Sequence, residues 1–442
     1  MAFGLGLLLL FVRTGMLHEL QVRLVGIDLH LLWVFGLPAL LGVVLAGGIQ
    51  RTLRSRTAWY WIGFAAWMAL TVPGSVWKMG SALLFLSYVR VDLIMLFIVG
   101  GLVYTWWQCK MMMYAIAGGA VVDLLAARLL VKEAGYGDRL GLESGSIANP
   151  NDFAAHLLLT LPFLLWVALS TKSVVLRLFA LACVALGAYT ILRTASRGAL
   201  VALVVAALFM LWRGTVPQRL ALLACASVLV PALLVALPKE TLQRLTSFSN
   251  DASALQEAVG SSTARAYLLR KSVAYTFEHP IFGVGVGQFS WYEGTHNRVG
   301  GTTHGQWQQA HNTYTQVSSE CGIPGFFLFV AGIVSTWRLL NSTWRQARRR
   351  PDCKDIAAAS FFVMLAMVAF CTAIFFLSFA YLFYLPALAG LGIALDRTAR
   401  AEFSSRAARA LEPQQPSWGD SPSGFRGRIS PGLARTARQA AS

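Results

Sequence analysis

Long apolar segments recur along almost the whole chain, separated by short polar stretches. A membrane-spanning helix needs about 20 predominantly apolar residues, and most of these segments approach that length. The pattern therefore predicts an all-α polytopic membrane protein with about twelve transmembrane helices. The segments are residues 2–12, 27–47, 58–72, 91–107, 111–130, 153–170, 174–192, 195–212, 219–237, 323–340, 357–377 and 378–396.

The first apolar run, residues 3–12, differs from a cleavable signal peptide. No charged residue precedes it, and no small-residue cleavage site lies before Arg13. We expect it to be the first, short transmembrane helix.

One long stretch, residues 238–322, interrupts the series between the ninth and tenth helices. Within it, apolar positions at helical spacing predict a helix over residues 263–278, lying at or near the membrane surface, and a glycine-rich turn follows Pro280. The predicted parts are helices 1–9 (residues 1–237), a periplasmic loop with catalytic helices (238–322), helices 10–12 (323–396) and a disordered basic cytoplasmic tail (397–442).

The distribution of Lys and Arg predicts the orientation. If the N-terminus is cytoplasmic, the inner loops carry more basic residues than the short outer loops, as the positive-inside rule requires. The opposite orientation would place the basic run 348–350 outside. We therefore expect both ends on the cytoplasmic side of the membrane and the long loop on its outer, periplasmic side.

Composition narrows the function. Apolar and aromatic residues make up 56% of the 442 residues and charged residues 13%, outside the range of soluble domains. The net charge of +17 is spread over loops without a basic stripe interleaved with aromatics, which argues against nucleic-acid binding. Of six cysteines only Cys321 falls on the predicted outer side, so we expect neither an intrachain disulfide there nor a metal site.

Arg193 and Arg197 flank a tight outer connection, against the positive-inside bias. The guanidinium fork matches phosphate oxygens, so this pair favours anion binding. Snorkelling to lipid headgroups is the alternative.

Arg265 follows a run of hydroxyl residues, Ser261, Ser262 and Thr263, any of which could cap a helix. It would then lie in the first helical turn, where a cation is mildly unfavourable and is better explained by a bound anion. An ordinary surface arginine is the alternative. Arg270, further along the same helix, is a second candidate for substrate binding.

His311 directly precedes the tenth membrane helix. Helical spacing would place it on one face with Thr315, Ser318 and Gly322, looking onto the mouth of the membrane domain. An imidazole is suited to act as a general base near neutral pH, although a hydrogen-bonded structural histidine is the alternative. His279, His296 and His304 in the same loop are interpreted as structural.

Two further positions have polar residues near the outer ends of helices. Asn149 and Asn151 precede the sixth helix and suit either capping or substrate binding. Asp123 and Arg128 lie near the outer end of the fifth, as functional candidates or as an Asp–Arg pair within the bundle.

Four short patterns on the predicted outer side resemble the family of O-antigen ligases and polymerases. They are residues 149–154 (Asn-Pro-Asn-Asp-Phe-Ala), residues 193–198 (Arg-Thr-Ala-Ser-Arg-Gly), Arg265 followed by residues 279–289, and His311-Asn312 followed by Glu320-Cys321-Gly322. The motifs cover about residues 145–330, most like an O-antigen ligase; the rest agrees by helix count alone.

The resemblance implies membrane helices around an outer cavity open to lipid, in the inner membrane of a Gram-negative bacterium, with the active site facing the periplasm. The donor would be a glycan carried on undecaprenyl diphosphate, and the acceptor a sugar hydroxyl of lipid A-core in lipopolysaccharide biosynthesis, with no cofactor and no metal. Our hypothesis is that Arg193, Arg197 and Arg265 hold the diphosphate while His311 activates the acceptor hydroxyl. Asn312, Tyr314 and Glu320 would bind substrate or orient His311.

Alternatives remain open. An O-antigen polymerase would use the growing chain as acceptor, and a distant relative could glycosylate protein. A twelve-helix secondary transporter is less consistent, because the two halves show no repeat and the long loop follows the ninth helix. A periplasmic glycosyltransferase of another fold would need paired carboxylates in the first outer loop, which offers only Glu19.

Overall fold

The computed structural model describes residues 1–130, 139–142, 145–246, 254–296 and 307–411, and these ranges contain helices and connecting turns but no strand. The predicted all-α class is therefore confirmed. The α-helices are α1 Ala2–Thr14, α2 Leu17–Val25, α3 Leu31–Leu45, α4 Gly48–Leu53, α5 Arg56–Thr71, α6 Lys78–Ser87, α7 Ile94–Leu102, α8 Trp106–Leu129, α9 Pro150–Ser170, α10 Val174–Arg193, α11 Arg197–Arg213, α12 Val216–Ala236, α13 Lys239–Thr246, α14 Ala254–Glu278, α15 Phe289–His296, α16 Thr313–Arg348, α17 Lys354–Ala373 and α18 Tyr384–Leu411.

Each of the twelve apolar segments overlaps a helix, but fewer helices are long and apolar enough to cross a membrane. Within the described ranges there are six such spans, or seven if α1 and α2, bent by 67° at their junction, form one span. The predicted count of twelve is therefore not confirmed. The six are Lys78–Leu102, in which the π-helix Tyr88–Leu93 joins α6 to α7, together with α8, α9, α10, α16 and Pro351–Phe376.

Two boundaries differ from the predicted ones. Helix α16 begins at Thr313, before the predicted tenth segment, and bends at Gly322, whose backbone is not helical. Helix α18 continues to Leu411, so the first part of the predicted disordered tail is helical, while residues 412–442 lie outside the described residues. Contacts divide the chain into a unit Met1–Glu402, which holds every candidate site residue, and a second unit from Phe403.

Helix α9 lies at the centre of the bundle. It packs against α8, α10, α11 and α17, and nearly its whole length is buried. The sequence explains both features, since a helix that is apolar on every face is stable only inside a bundle or in lipid. Asn149 caps its first turn and Pro150 occupies the first helical position, where no backbone N–H is needed.

A buried polar network joins α9 to its neighbours. His156 Nε2 lies 2.8 Å from Asp123 Oδ2 and 2.9 Å from the Thr14 carbonyl oxygen, and His156 Nδ1 lies 3.0 Å from the Tyr384 hydroxyl. Asp123 and His156 are fully buried, whereas Arg128 is exposed. The Asp123–Arg128 pair considered from sequence is therefore wrong, because helix packing brings His156 to Asp123.

A second buried ion pair fixes α1. The Arg13 guanidinium donates to Asp92 Oδ1 at 2.6 Å and lies 4.3 Å from the centroid of the Phe383 ring. Because both charged groups are buried, they need each other to offset the cost of leaving water. The pair thus connects α1 to the π-helix and to the turn before α18.

The His156–Asp123 pair predicts a stability effect. Replacing His156 by Leu leaves the Asp123 carboxylate buried without its ring partner and should lower the free energy of unfolding by about 3 kcal/mol. Denaturation in mixed micelles measures the change. The matched control is Arg128→Ala on α8, which should unfold like the wild type. Equal destabilisation by both variants would contradict the role given to the pair.

Candidate functional site

A small pocket lies where four helices meet. Its volume is about 210 Å³, including the open space at its mouth. Helix α9 contributes its second residue, α11 its first turn, α14 an arginine, and the end of α17 an apolar wall. The lining residues are Asn151, Ser196, Gly198, Ala199, Arg265, Ala373, Phe376 and Leu377.

The connection between α10 and α11 forms one side of this pocket. Helix α10 ends at Arg193, Ala195 adopts a left-handed backbone with φ of 48°, and the Ser196 side chain caps α11 by accepting from the Ala199 N–H. Arg197 is thereby the first residue of α11. Arg193 and Arg197 are half-buried, and the Arg193 Nε is buried with no hydrogen-bond partner.

The N-terminus of α9 is held against that connection. Asn149 accepts from the Asn151 N–H, and Asn151 Oδ1 accepts from Arg139 at 2.8 Å. The Arg139 Nε in turn donates to the Thr194 carbonyl oxygen at 2.9 Å. Two helix N-termini, those of α9 and α11, therefore face the same pocket, and each carries about half an elementary positive charge.

Arg265 comes to the pocket from the interior of a helix. Helix α14 begins at Ala254, so the prediction that Arg265 lies in a first turn capped by Ser261, Ser262 or Thr263 is wrong. The helix is 25 residues long and packs against α16.

Side-chain hydrogen bonds fix α14 against α16. The Ser272 hydroxyl donates to Thr315 Oγ1 at 2.8 Å, and the Thr276 and Ser318 hydroxyls lie 2.7 Å apart. These bonds hold α14 in place, so the position of Arg265 depends on the α16 contact rather than on a helix end.

His311 lies just outside α16. Asn312 is the N-cap, and its side chain accepts from the Tyr314 and Thr315 N–H groups. His311 therefore precedes the helix, and the prediction that it shares a helical face with Thr315 is wrong. Its backbone is left-handed, with φ of 51°, and its N–H donates to Ser378 Oγ at 2.9 Å. A left-handed backbone at a histidine is uncommon and marks the position as constrained.

The electrostatics of His311 favour the neutral ring. Burial lowers the pKa of the imidazole below its ordinary value of 6.5, and the nearby Arg265 charge lowers it further. Arg265 is also within electrostatic range of Asp152 on α9. Arg265 thus lines the pocket and also lies close enough to His311, the predicted base, for its charge to act on the half-buried imidazole.

The glycine-rich turn predicted after Pro280 packs on the bend in α16. Gly283, Gly285 and Gly287 have left-handed backbones, and a Cβ on Gly285 would lie 2.0 Å from Ser75 Oγ. The Val284 N–H donates to the Ser319 carbonyl oxygen at 2.8 Å. Only glycine meets both the conformation and the close approach here.

Glu320 anchors this turn from the bend. Its buried carboxylate accepts from the Gly287 N–H at 3.0 Å, the Phe289 N–H at 3.1 Å and the Tyr381 hydroxyl at 2.7 Å. Cys321 beside it is also buried, with its sulfur 3.4 Å from the Tyr381 oxygen. The carboxylate therefore fixes the start of α15, and these hydrogen bonds run to the turn and to Tyr381 rather than to His311.

The remaining predicted residues have varied surroundings. The Tyr314 hydroxyl donates to the Cys371 carbonyl oxygen at 2.9 Å, which joins α16 to α17, and Arg270 is exposed on α14. His279 Nε2 lies 3.0 Å from the Tyr292 hydroxyl, and His296 stacks on the same ring. His304 lies outside the described residues.

Sequence reasoning missed three residues that shape the site. Ser196 has the pattern of an N-cap directly before Arg197, so it could have been found. Arg139 and Ser378 gave no signal, because Arg139 joins Asn151 to Thr194, 55 residues from Arg139, and Ser378 lies 67 residues from His311.

The fold and pocket define a helical membrane protein with a positively charged site where helix ends meet. Residues 181–330 match the family model described as O-antigen ligase. No curated protein matches the chain. The match includes Arg193, Arg197, Arg265 and His311, and it confirms the family resemblance seen in the motifs. It supports a function of the O-antigen ligase or polymerase type, with a lipid-linked glycan as substrate in general terms.

Glu320 gives a testable prediction. Glu320→Gln keeps the side-chain shape but replaces one acceptor oxygen by an NH₂ group that faces a hydrogen-bond donor. The free energy of unfolding should therefore fall by about 1–3 kcal/mol. The melting temperature in detergent measures this. Glu278→Gln, an exposed change at the end of α14, is the control. A wild-type melting temperature for Glu320→Gln would show that the carboxylate does not anchor the turn.

Proposed function

We propose that this protein is an O-antigen-ligase-like glycosyltransferase. It moves a glycan from undecaprenyl diphosphate to a sugar hydroxyl of lipid A-core, on the periplasmic face of the inner membrane. The convergence of two helix N-termini and Arg265 on one pocket carries the proposal. The bias of basic residues toward the predicted inner loops supports the orientation.

The diphosphate is the part of the donor that this pocket fits best. Helix N-termini present backbone N–H groups and positive dipole ends, the usual arrangement for binding phosphate, and here Asn149 and Ser196 each accept from one N–H of their helix. Arg265 adds a fixed charge in the pocket, and Arg197 begins the helix whose first turn lines it. The unpartnered Nε of Arg193 is a further donor next to that turn.

Direct displacement at the anomeric carbon accounts for all these groups. The acceptor oxygen attacks that carbon, His311 takes the hydroxyl proton, and the bond to the diphosphate oxygen breaks with its electron pair leaving on undecaprenyl diphosphate. Fixed positive charge stabilises the leaving group without reorganisation, so the proposed step needs no metal. The low pKa of His311 keeps the ring neutral and able to accept a proton at neutral pH.

Asn151 and Arg270 have separate proposed roles. Asn151 lines the pocket while its side chain accepts from Arg139, so it positions the α9 N-terminus for the donor. Arg270 is exposed on the same helix as Arg265, about one and a half turns away, and would contact the glycan or lipid headgroup rather than the diphosphate. Asn149 and Asn312, as helix caps, act on the substrate only through the helices that they begin.

His311→Ala should lower kcat by about 10²–10⁴, because a positioned general base contributes that much. Transfer in proteoliposomes, with purified donor and acceptor, measures the rate. Because the pKa of His311 lies below 6.5, the wild-type rate should be constant near neutral pH and fall only as the pH drops through a value below 6.5. Arg265→Ala and Arg197→Ala should each lose about 10²–10³ in rate.

His30→Ala is the matched control for His311, since it removes an exposed histidine whose backbone is also left-handed and which does not line the pocket. It should keep the wild-type rate and the same acid limb. Near-normal turnover by His311→Ala, or an acid limb that persists in that variant, would remove the base assignment.

Deletion of the gene in its host distinguishes the ligase from the polymerase. Loss of the ladder on lipid A-core, with long polymer accumulating on undecaprenol, is the result expected for a ligase. Gel analysis of lipopolysaccharide and of undecaprenol-linked material, both probed for O-antigen, measures it. Single repeats that still reach lipid A-core would instead identify the polymerase. No change in either pool would overturn both and reopen the transporter alternative.

A further inference from the structure

We infer that Trp77, Trp291 and Trp307 form a platform that binds the sugar rings of the glycan. The inference rests on the proposed function and deepens it, because it assigns the surface that holds the saccharide rather than the diphosphate. These three residues are called the tryptophan platform below.

The three indoles form one continuous exposed surface. The Trp77 and Trp291 ring centroids lie 5.3 Å apart, and those of Trp291 and Trp307 lie 5.4 Å apart. The side chains are exposed to 48%, 42% and 51%, respectively. Large aromatic rings at a surface cost free energy unless a partner covers them, so a contiguous group of three indicates a binding surface.

The two outer rings of the platform, those of Trp77 and Trp307, each lie against a glycine. A Cβ on Gly80 would lie 2.4 Å from the Trp77 ring, and a Cβ on Gly294 would lie 2.3 Å from the Trp307 ring. Each ring therefore lies directly on glycine backbone, which fixes its plane. Rigid rings bind with little loss of side-chain entropy.

The platform is attached to the elements that carry the pocket. Helix α15 contains Trp291, and its Glu293 is fully buried and accepts from the Tyr267 hydroxyl of α14 at 2.7 Å. Tyr275 of α14 also donates to Glu293. Since α14 carries Arg265, the same helix fixes both the anion pocket and the platform.

Distance along the chain also places the platform near the proposed base. Trp307 is four residues before His311, so their Cα atoms are at most about 14 Å apart even in a fully extended chain. A glycan whose first sugar reacts beside His311 would therefore place its next sugars over Trp307 and then Trp291.

The surroundings favour a saccharide over lipid. Gln308, Gln309, Thr295 and His296 are exposed beside the tryptophans, and their polar groups can hydrogen-bond to sugar hydroxyls. A pyranose ring presents an apolar C–H face to an aromatic ring and hydroxyls at its rim, which is the chemistry of this surface. Exposed aliphatic residues, Val76 and Met79, adjoin only Trp77, whereas the rim of Trp291 and Trp307 is polar, so these two indoles are the ones that favour a saccharide.

Binding of a lipid-free glycan tests the platform without requiring transfer. The full chain is placed in nanodiscs and titrated with the oligosaccharide released by mild acid from the host's own lipopolysaccharide, with maltoheptaose as the unrelated sugar. Trp291→Ala and Trp307→Ala should each raise Kd for the host oligosaccharide about tenfold, while Trp291→Phe, which keeps a ring, should change it less. Trp212→Ala, which removes another exposed indole at the far end of α11, is the control and should bind like the wild type.

Two results would overturn the platform. One is a wild-type protein that does not bind the host oligosaccharide at millimolar concentration. The other is equal binding by the wild type and by both platform alanine variants, as expected if the indoles only contact the bilayer.

Transfer assays then identify the source of the glycan. If the platform holds the donor glycan, Trp291→Ala raises KM for a donor with several repeats but not for a donor with one sugar on the diphosphate. If it holds the acceptor, KM for lipid A-core rises instead. Tryptophan-dependent glycan binding by a protein that transfers nothing would leave the platform standing and overturn the proposed function.

Discussion

The buried carboxylate of Glu320 is the constraint on which the glycine-rich turn and the start of α15 depend. It lies in α16 two residues before the bend at Gly322, and it accepts from two backbone N–H groups of the glycine-rich turn and from Tyr381. A buried carboxylate is stable only when such donors surround it. The turn therefore has one register against α16, and the start of α15, which carries Trp291, follows from it. Arg265 at the pocket is held separately, by the Ser272–Thr315 and Thr276–Ser318 bonds between α14 and α16.

Much of the fold could be predicted from the sequence because the length of an apolar segment depends only on adjacent residues. Each of the twelve apolar segments contains helix, and the helix over residues 263–278 is present within α14. The number of membrane spans could not be predicted in this way. Helices α3 and α5 are shorter than a bilayer requires, and α1 and α2 are bent at their junction, so composition alone does not say which helices cross.

The site was predictable where it depended on adjacent residues. Arg193 and Arg197 flank a tight connection as the sequence indicates, and Asn149 caps α9. Prediction failed at Arg265 because the hydroxyl run Ser261, Ser262 and Thr263 has the pattern of a helix cap, yet α14 continues through it. It failed at Asp123 because the partner, His156, lies on another helix. The left-handed backbone of His311 accompanies its hydrogen bond to Ser378, and no local pattern indicates either.

The two helix N-termini at the pocket have an evolutionary consequence. Peptide dipoles belong to the backbone, so no single substitution removes them, whereas each arginine can be lost in one step. On the proposed function, a protein with this fold would keep a weak affinity for anions after the loss of one arginine. The helix arrangement would supply the basic affinity, and the arginines would adjust its strength.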